Sequence, residues 1–219
     1  MIVAIDGPSG AGKSTLAKRL ARDLGFMYLD TGAMYRALAL KILRRGLDLD
    51  NHAKLAALID STEIDLVESS GNLKVLLDGA DVSESIRTPE VSQMASKVSA
   101  LAVVRKRMLN LQRALGEKGS VVAEGRDIGT VIFPDAEVKI YLDASVNERA
   151  RRRYEELRKG GRDVSFEDTV REIEERDKRD SGRDLAPLKK AEDALPIDSS
   201  ALSADAVAER VMRRIKEKF

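Results

Sequence analysis

The stretch GPSGAGKST, Gly7 to Thr15, decides how the rest of the sequence is interpreted. It fits the pattern G-x-x-x-x-G-K-[ST] and lies between an apolar run, MIVAI, and a helical pattern that begins at Ser14. Glycines let backbone N–H groups wrap closely around phosphate oxygens, and the helix N-terminus favours the negative charge. In such a loop Lys13 reaches the β- and γ-phosphates, while the Ser14 hydroxyl coordinates Mg²⁺. We therefore predict that a nucleoside triphosphate binds here.

Phosphate loops of this kind occur in kinases, GTPases and motor ATPases, and other features separate these classes. A GTPase should carry a guanine-reading NKxD segment, which the sequence lacks. A motor ATPase should be longer, with an apolar strand that ends in an acidic pair, whereas strands here end in AEGRD and YLDAS. These differences favour a small-molecule kinase.

Five short apolar runs predict the core of the fold. Their nearly continuous apolar character is what a sheet covered on both faces requires, and helical patterns such as Ser14–Leu24, Val146–Arg158 and Ala204–Lys218 separate or follow them. The runs are MIVAI, FMYLD, SVVAEG, VKIYLD and ALPIDS. This alternation predicts an α/β fold, a doubly wound five-stranded parallel sheet flanked by helices.

One long region interrupts this rhythm between Arg36 and Ser120. Within it, TEIDLVESSGNLKVLLDGADVS alternates apolar and polar residues and carries turn signals at SSGN and DG. We predict a small antiparallel sheet inserted at about residues 60–85. A packing appendage without a ligand role is the alternative.

The predicted domains follow from that insertion. Residues 1–35 and 116–219 form the phosphate-loop core, and residues 36–115 form the region that carries the insertion. A short lid is expected within the core at about residues 150–165.

Composition excludes several other kinds of protein. The chain has 38 Lys and Arg against 37 Asp and Glu, so its net charge of +1 argues against a general nucleic-acid binder. It has no cysteine and one histidine, His52, which excludes disulfides, a thiol nucleophile and a multi-histidine metal site. The apolar start is too short for a signal peptide, and no run is long enough for a membrane span. We expect a cytoplasmic protein without a membrane partner.

The stretch YLDTGAMYR, Tyr28 to Arg36, is the first candidate part of an acceptor site. In a doubly wound sheet, ligands bind beyond the carboxyl ends of the strands, which is where Thr31, Tyr35 and Arg36 are expected. A guanidinium there can clamp a phosphate group bidentately. A helix N-cap at Asp30 or Thr31, followed by an ordinary surface arginine, is the alternative.

Two later stretches carry further candidate charges, the first of them at the same edge. EGRDIGT places Arg126 and Asp127 after a buried strand, although the two could simply stabilise the turn. ERDKRDSGRD places Arg176, Asp180 and Arg183 at i, i+4 and i+7, on one face of a helix. A solvated ladder of salt bridges is the alternative for this run.

The basic run RARRRYEELRKGGR, residues 149–162, begins a helix and ends in a glycine turn. An RNA-binding helix is conceivable, but the run has one aromatic residue, Tyr154, among several acidic neighbours. A lid that closes over polyphosphate suits it better. Its candidate arginines are Arg149, Arg153 and Arg162.

Taken together, the motifs resemble those of bacterial cytidylate kinases over essentially the whole chain. The segments that carry the resemblance, in order, are GPSGAGKST, LDTGAMYR, EGRDIGTVIFPDA, KIYLDAS, ERDKRDSGRDLAPL and ALPIDSS. The resemblance implies a monomeric enzyme that transfers the γ-phosphoryl group of ATP to CMP or dCMP with Mg²⁺. Before the resemblance is considered, a kinase for AMP, UMP or a small hydroxy acid and an RNA-binding regulatory protein remain alternatives.

The resemblance also implies roles for individual residues. ATP would bind to Gly7, Pro8, Ser9, Gly10, Ala11, Gly12, Lys13, Ser14 and Thr15, with Mg²⁺ on Ser14. CMP would bind to Thr31, Tyr35, Arg36, Ser96, Arg105, Arg126, Asp127, Arg176, Asp180 and Arg183. Lys13, Arg126 and Arg176 would be catalytic. Some relatives have serine at position 31 and aspartate at position 124, and Thr31 and Glu124 keep those functional groups here.

Overall fold

A computed structural model describes residues 1–69 and 72–218 of the chain. Its strands are β1 (Ile2–Asp6), β2 (Met27–Asp30), β3 (Ile64–Ser69), β4 (Asn72–Leu77), β5 (Ala80–Asp81), β6 (Val121–Gly125), β7 (Val138–Asp143) and β8 (Leu195–Asp198). Its α-helices are α1 (Lys13–Leu24), α2 (Thr31–Arg44), α3 (His52–Asp60), α4 (Pro89–Val98), α5 (Ala102–Gly116), α6 (Val146–Lys159), α7 (Phe166–Ser181) and α8 (Ala204–Lys218). A 3₁₀-helix, Ser85–Arg87, and a π-helical turn, Ile128–Ile132, complete the elements.

The main sheet has five strands in the order β2-β6-β1-β7-β8, which confirms the predicted five-stranded core. Strand β1 pairs in parallel with β6 on one side and β7 on the other, and β7 pairs in parallel with β8. All of β6, and β1 from Val3 onward, is buried. This burial is the reason for the nearly continuous apolar runs, because helices cover both faces of such a sheet.

The chain divides into two compact units, which are described separately. The first comprises residues 1–28 and 118–219, and the second comprises residues 29–117. The predicted boundary between residues 35 and 36 falls inside α2.

The first unit contains the strand–loop–helix segment that was predicted to bind phosphate. Helix α1 contacts α8 and β6, and α8 buries one face, composed of Val207, Val211 and Ile215 together with Ala208. The four-residue spacing of these side chains predicted that face.

Helix α2 is the central element of the second unit. Met34, Leu38 and Ile42 are fully buried in it, and the helix packs against α4 and β4. Asp30 caps its N-terminus, since the Asp30 carboxylate accepts a hydrogen bond from the Ala33 N–H at 2.7 Å. The predicted cap is therefore Asp30 rather than Thr31.

The predicted inserted sheet is confirmed as β3-β4-β5, with antiparallel pairing throughout. Asp78 and Gly79 connect β4 to β5 with φ values of 49° and 80°, the backbone geometry that the DG signal predicts. The other predicted turn, SSGN, includes Ser70 and Gly71, which lie outside the described residues.

A buried lysine joins α2 to the inserted sheet. Lys41 Nζ donates hydrogen bonds to the Ser61 carbonyl and to the Asp78 carboxylate, each at 3.0 Å. Asp78 also accepts a hydrogen bond from the Glu63 N–H at 3.0 Å. One side chain thus connects the helix to the strand ends.

The segment predicted as a lid, residues 150–165, contains most of α6 and a glycine turn, and it ends at Ser165, the N-cap of α7. Tyr154 on α6 and Phe166 on α7 form an edge-to-face contact with ring centroids 6.0 Å apart. Lid movement stays a prediction. In the described parts of the chain, none of the helices has the length and apolarity that a membrane span requires.

Candidate active site

The phosphate loop leaves β1 at Asp6 and enters α1 at Lys13. Gly7, Gly10 and Gly12 have φ values of 151°, 79° and 95°, which side chains rarely adopt. A Cβ on Gly7 would lie 1.9 Å from the Leu142 carbonyl oxygen. The loop therefore needs glycine for close packing as well as for its backbone conformation. It leads into the positive end of α1, a suitable place for an anion.

Lys13 is buried beneath this loop. Its ammonium group donates a hydrogen bond to the Pro8 carbonyl at 2.7 Å, within the loop itself. Burial, reinforced by the positive charges of Arg126 and Arg176, lowers the pKa of Lys13 to about 7. Glu124 opposes this shift without cancelling it. The site is therefore short of negative charge, which the phosphates of a nucleotide would supply.

Two buried carboxylates, Asp6 and Glu124, lie close enough to Lys13 to act on its pKa. Asp6 accepts hydrogen bonds from the N–H groups of Ile128 and Gly129, at 2.7 and 2.8 Å. Burial nevertheless raises the pKa of Asp6 to about 6. Glu124 accepts a hydrogen bond from the Tyr28 hydroxyl. Sequence reasoning missed Asp6, although a charged residue that ends a buried strand before a phosphate loop is a usable signal.

Three predicted arginines meet at one carboxylate, Asp180, which is 1% exposed. Its Oδ2 accepts from Arg126 Nε at 2.8 Å and lies 3.9 Å from Arg176 Nε, and its Oδ1 accepts from Arg183. Burial raises the pKa of Asp180, but the three guanidinium groups outweigh it and hold the pKa below its usual range. Helix α7 ends at Ser181, so Arg183 lies beyond it and the predicted helical face holds only for Arg176 and Asp180. The three side chains nevertheless form a largely buried cluster rather than a solvated ladder.

Arg176 and Asp127 extend this cluster toward the loop and the sheet. Arg176 Nη1 donates to the Ser9 hydroxyl at 3.4 Å, which links α7 to the phosphate loop. Asp127 is buried at the start of the π-helical turn, and its carbonyl accepts from the N–H groups of Val131 and Ile132. The structure thus brings Lys13, Arg126, Arg176, Asp180 and Arg183 together beside the phosphate loop.

The three predicted lid arginines have different surroundings. Arg149 is buried and bonded to the phosphate loop, so in this structure it belongs to the interior of the first unit. Arg153 pairs with Glu156 on the same helix at 2.7 Å. Arg162 is exposed, just after the glycine turn. Only the last has the exposed position expected of an open lid.

The remaining predicted residues belong to the second unit. Thr31, Tyr35 and Ser96 are buried. Arg36 pairs with Asp30 at 3.0 Å, and Arg105 donates to the Ser99 carbonyl at 3.2 Å.

Two residues that sequence reasoning did not assign support the phosphate loop. The hydroxyl of Ser199 donates to the Ala11 carbonyl at 3.0 Å. Arg152 donates to the Ser199 carbonyl at 2.7 Å and to the Ala11 carbonyl at 3.4 Å. Ser199 directly follows β8 at the carboxyl edge of the sheet, and that position is the signal that could have identified it.

Comparison with known proteins gives matches over essentially the whole chain. The family model described as "Cytidylate kinase" matches residues 3–217. The chain is 54% identical over 218 residues to "Cytidylate kinase" of Syntrophotalea carbinolica, an alignment that covers 100% of this chain and 93% of that relative. It is 50% identical over 218 residues to "Cytidylate kinase" of Geobacter sulfurreducens, covering 100% of this chain and 94% of the relative.

A solved structure of an uncharacterized protein from Eubacterium ventriosum superposes with a TM-score of 0.52 at 15% identity, over 99% of this chain and 98% of the other. At that identity the superposition supports the fold alone. The family match and the full-length identities carry more weight, because they extend over both the phosphate-loop core and the inserted region. The chain that folds around this loop and arginine cluster therefore belongs to the cytidylate kinase family.

Proposed function

We propose that this chain transfers the γ-phosphoryl group of ATP to CMP and dCMP, giving ADP with CDP or dCDP. The observation that carries the proposal is the family match over residues 3–217. The first unit supplies chemistry that suits the reaction, a phosphate loop beside a cluster of arginines. On the family resemblance we also propose that the protein acts as a monomer in the cytoplasm, without a nucleic-acid partner.

On the donor side, the loop from Gly7 to Thr15 binds the ATP phosphates through its backbone N–H groups. Lys13 neutralises charge on the β- and γ-phosphates during transfer. The start of α1 supports this role. Its first turn contains no acidic residue, so no carboxylate competes with a phosphate for the N–H groups there.

Ser14 is the residue that we propose to hold Mg²⁺. Its side chain is exposed at the second position of α1, where a hydroxyl oxygen is accessible to an ion. Among residues 1–69 and 72–218 there is no group of three or more His, Cys, Asp and Glu residues that could hold a metal. A single Ser14 hydroxyl still suits Mg²⁺, because this ion usually keeps several waters and takes substrate phosphates as its other ligands. When bound, the ion neutralises charge on the transferring group.

The acceptor phosphate is assigned to Arg126 and Arg176, with Thr31 and Arg36 from the second unit. In the structure Arg126 and Arg176 share one carboxylate, that of Asp180. Three guanidinium groups around one carboxylate leave an excess of positive charge for a phosphate dianion. On the family resemblance we also propose that Asp180 accepts from the sugar hydroxyls, since a carboxylate has about four lone-pair sites and Arg126 and Arg183 occupy only part of them.

Base recognition is assigned to Asp127 and Arg183, with Ser96 and Arg105 from the second unit. Tyr35 completes the proposed CMP-binding residues. Cytosine offers an amino donor beside an acceptor ring nitrogen and a carbonyl, so a carboxylate can accept from the amino group while arginines donate to the others. Uracil reverses this pattern at two positions, leaving buried polar groups mismatched.

The proposed reaction needs no catalytic histidine or cysteine. A phosphate acceptor is already a nucleophile at neutral pH, so positioning and charge neutralisation carry the catalysis. Lid arginines Arg153 and Arg162 are proposed to approach the transferring group as the lid closes and expels water.

The direct test is ADP formation from ATP and Mg²⁺ with CMP, dCMP, UMP, AMP and GMP offered in parallel. We expect strong activity with CMP and dCMP only. Activity mainly with another monophosphate would overturn the acceptor assignment, and inactivity with all five, in a protein that binds ATP, would overturn the kinase assignment.

Asp127→Ala tests base recognition within that experiment. We expect the variant to narrow the preference for CMP over UMP, because the loss of the carboxylate removes the group that distinguishes the amino group from a carbonyl. We expect the unmodified protein to discriminate against UMP by about two orders of magnitude or more. An unchanged CMP-to-UMP ratio of kcat/KM would remove Asp127 from base recognition.

A further inference from the structure

A buried arginine of α6 and an aspartate of α7 meet at the backbone of the phosphate loop. Arg149 is 4% exposed, and its Nη1 donates to the Ser9 carbonyl at 3.1 Å. Its Nε donates to the Ala144 carbonyl at 2.9 Å, and its Nη2 pairs with Asp177 Oδ2 at 2.7 Å. One planar guanidinium group therefore contacts the loop, the chain just before α6, and α7.

The same loop residue also contacts the neighbour of Asp177 on α7. Arg176 Nη1 donates to the Ser9 hydroxyl at 3.4 Å. Ser9 is thus held at its carbonyl by Arg149 and at its hydroxyl by Arg176. Close packing reinforces this attachment, because a Cβ on Gly10 would lie 2.9 Å from the Arg149 carbonyl oxygen.

The energetics of the Arg149–Asp177 pair favour a role in geometry over one in stability. Arg149 is almost fully removed from water, and Asp177 Oδ1 is buried without a hydrogen-bond partner in the described part of the chain. Removing two charges from water is costly, and apolar residues of similar volume often serve stability equally well. The planar guanidinium group of Arg149, by contrast, has three partners in one plane. It therefore specifies closely the distance and orientation of the loop relative to α7.

We propose that Arg149 and Asp177 are positioning residues that fix the phosphate loop at Ser9 relative to α7. Helix α7 carries Arg176 and Asp180, to which the proposed function assigns the acceptor. The pair would therefore hold the donor phosphates in a constant relation to the arginines of α7. In-line transfer depends on such placement, since a displacement of about 1 Å can lower the rate about a hundredfold. The inference rests on the proposed function for its effect on catalysis.

The test replaces the pair with apolar residues of similar volume, Arg149→Met with Asp177→Leu. Such replacements are often neutral for stability, so the double variant should fold. We expect an unfolding midpoint close to that of the unmodified protein, an ADP dissociation constant raised at least about fivefold, and a kcat lowered at least about tenfold. The KM for CMP should change less than about twofold, because the pair does not contact the acceptor.

The chain offers a matched control on the solvent side of α6. Arg151 and Glu155 pair at 2.5 Å, and their side chains are 53% and 47% exposed. Arg151→Met with Glu155→Leu likewise removes one arginine and one carboxylate, both from the exposed face of α6. This control should leave the dissociation constant of ADP and the kcat unchanged.

A stable double variant with unchanged ADP affinity and unchanged kcat would overturn the inference and leave a merely structural ion pair. If the double variant does not fold, Arg149→Lys serves for the same two measurements. A lysine keeps the buried charge beside Asp177 but cannot contact three partners in one plane. Full ADP affinity and full kcat in Arg149→Lys would likewise overturn the inference.

ADP binding separates this inference from the proposed function. If the unmodified protein binds ADP but phosphorylates no CMP, the proposed function fails. Weaker ADP binding by the double variant, but not by the control, would still support loop positioning. If the unmodified protein phosphorylates CMP and the double variant does so equally well, the inference alone fails.

Discussion

Nucleotide binding should be coupled to proton uptake at Lys13. Burial lowers the pKa of this lysine to about 7, with Arg126 and Arg176 adding to the effect. A bound diphosphate places negative charge beside the ammonium group and raises its pKa again. At a pH above about 7, binding must therefore take up a proton.

The expected size follows from that pKa. At pH 8, one unit above it, about 0.9 of the unliganded molecules lack the proton, so about 0.9 protons should be taken up per ADP bound. Above pH 7, the dissociation constant of ADP should rise up to about tenfold per pH unit, equivalent to about 1.4 kcal/mol per unit.

Calorimetric titration with ADP at pH 8, in two buffers of different ionisation enthalpy, measures this uptake directly. At that pH the ADP phosphates are ionised, since their second pKa is about 6. Lys13→Arg is the control, because a guanidinium group keeps its charge throughout the range and should show no uptake. Equal binding enthalpies in the two buffers for the unmodified protein, or equal uptake by Lys13→Arg, would refute the argument.

The same shift predicts how stability depends on pH. The ordinary pKa of a lysine, 10.5, applies in the unfolded chain, and the folded pKa is about 7. The unfolded state therefore binds more protons between these values, and stability should rise with pH across that window by up to about 5 kcal/mol. Lys13→Met should remove this rise in urea unfolding measured at pH 7 and pH 9. A slope identical to that of the unmodified protein would contradict the low pKa.

Three further sets of variants test packing and charge. Gly7→Ala puts a Cβ 1.9 Å from the Leu142 carbonyl oxygen, so ADP should bind at least about tenfold more weakly in a titration. Gly46→Ala is the control, because its Cβ meets nothing within 4 Å, and this variant should bind ADP normally. Asp180→Asn leaves its arginines without a counter-charge and should lower the unfolding free energy by about 3 kcal/mol at pH 7. Because the pKa of Asp180 is held low in the folded state, this loss should shrink as pH falls below about 4, and a pH-independent difference would argue against the pairing. Lys41→Met should lower the unfolding free energy by about 1 to 2 kcal/mol, and an unchanged urea midpoint would show that its ion pair is dispensable.

The general architecture could be predicted because its signals are local. The phosphate loop, the five apolar runs and the DG turn each depend on residues close together in the sequence, whose backbone preferences and periodicity do not need distant partners. The order of the strands in the sheet was not predicted, because many pairings are compatible with the same apolar runs.

The site illustrates the same division. Chain position indicated that Arg126 would lie near the carboxyl edge of the sheet, whereas Arg176 and Asp180 were assigned to the site by the family resemblance. Their convergence on one buried carboxylate, and the burial of Arg149 against Ser9, required residues far apart in sequence to meet. The sequence of a basic run does not show which of its arginines is buried in the folded protein. Sequence reasoning therefore assigned Arg149 to the lid together with its exposed neighbours.

The sequence by itself therefore determined the fold class, the phosphate loop and the family, since these depend on motif spacing and hydrophobic pattern. Only the tertiary structure decided which charges are buried, which partners they have and how their pKa values shift, as Lys13 and Asp6 illustrate. The physical reason is that desolvation and Coulomb energies depend on distances through space and on exclusion of water, and neither is encoded in the spacing along the chain.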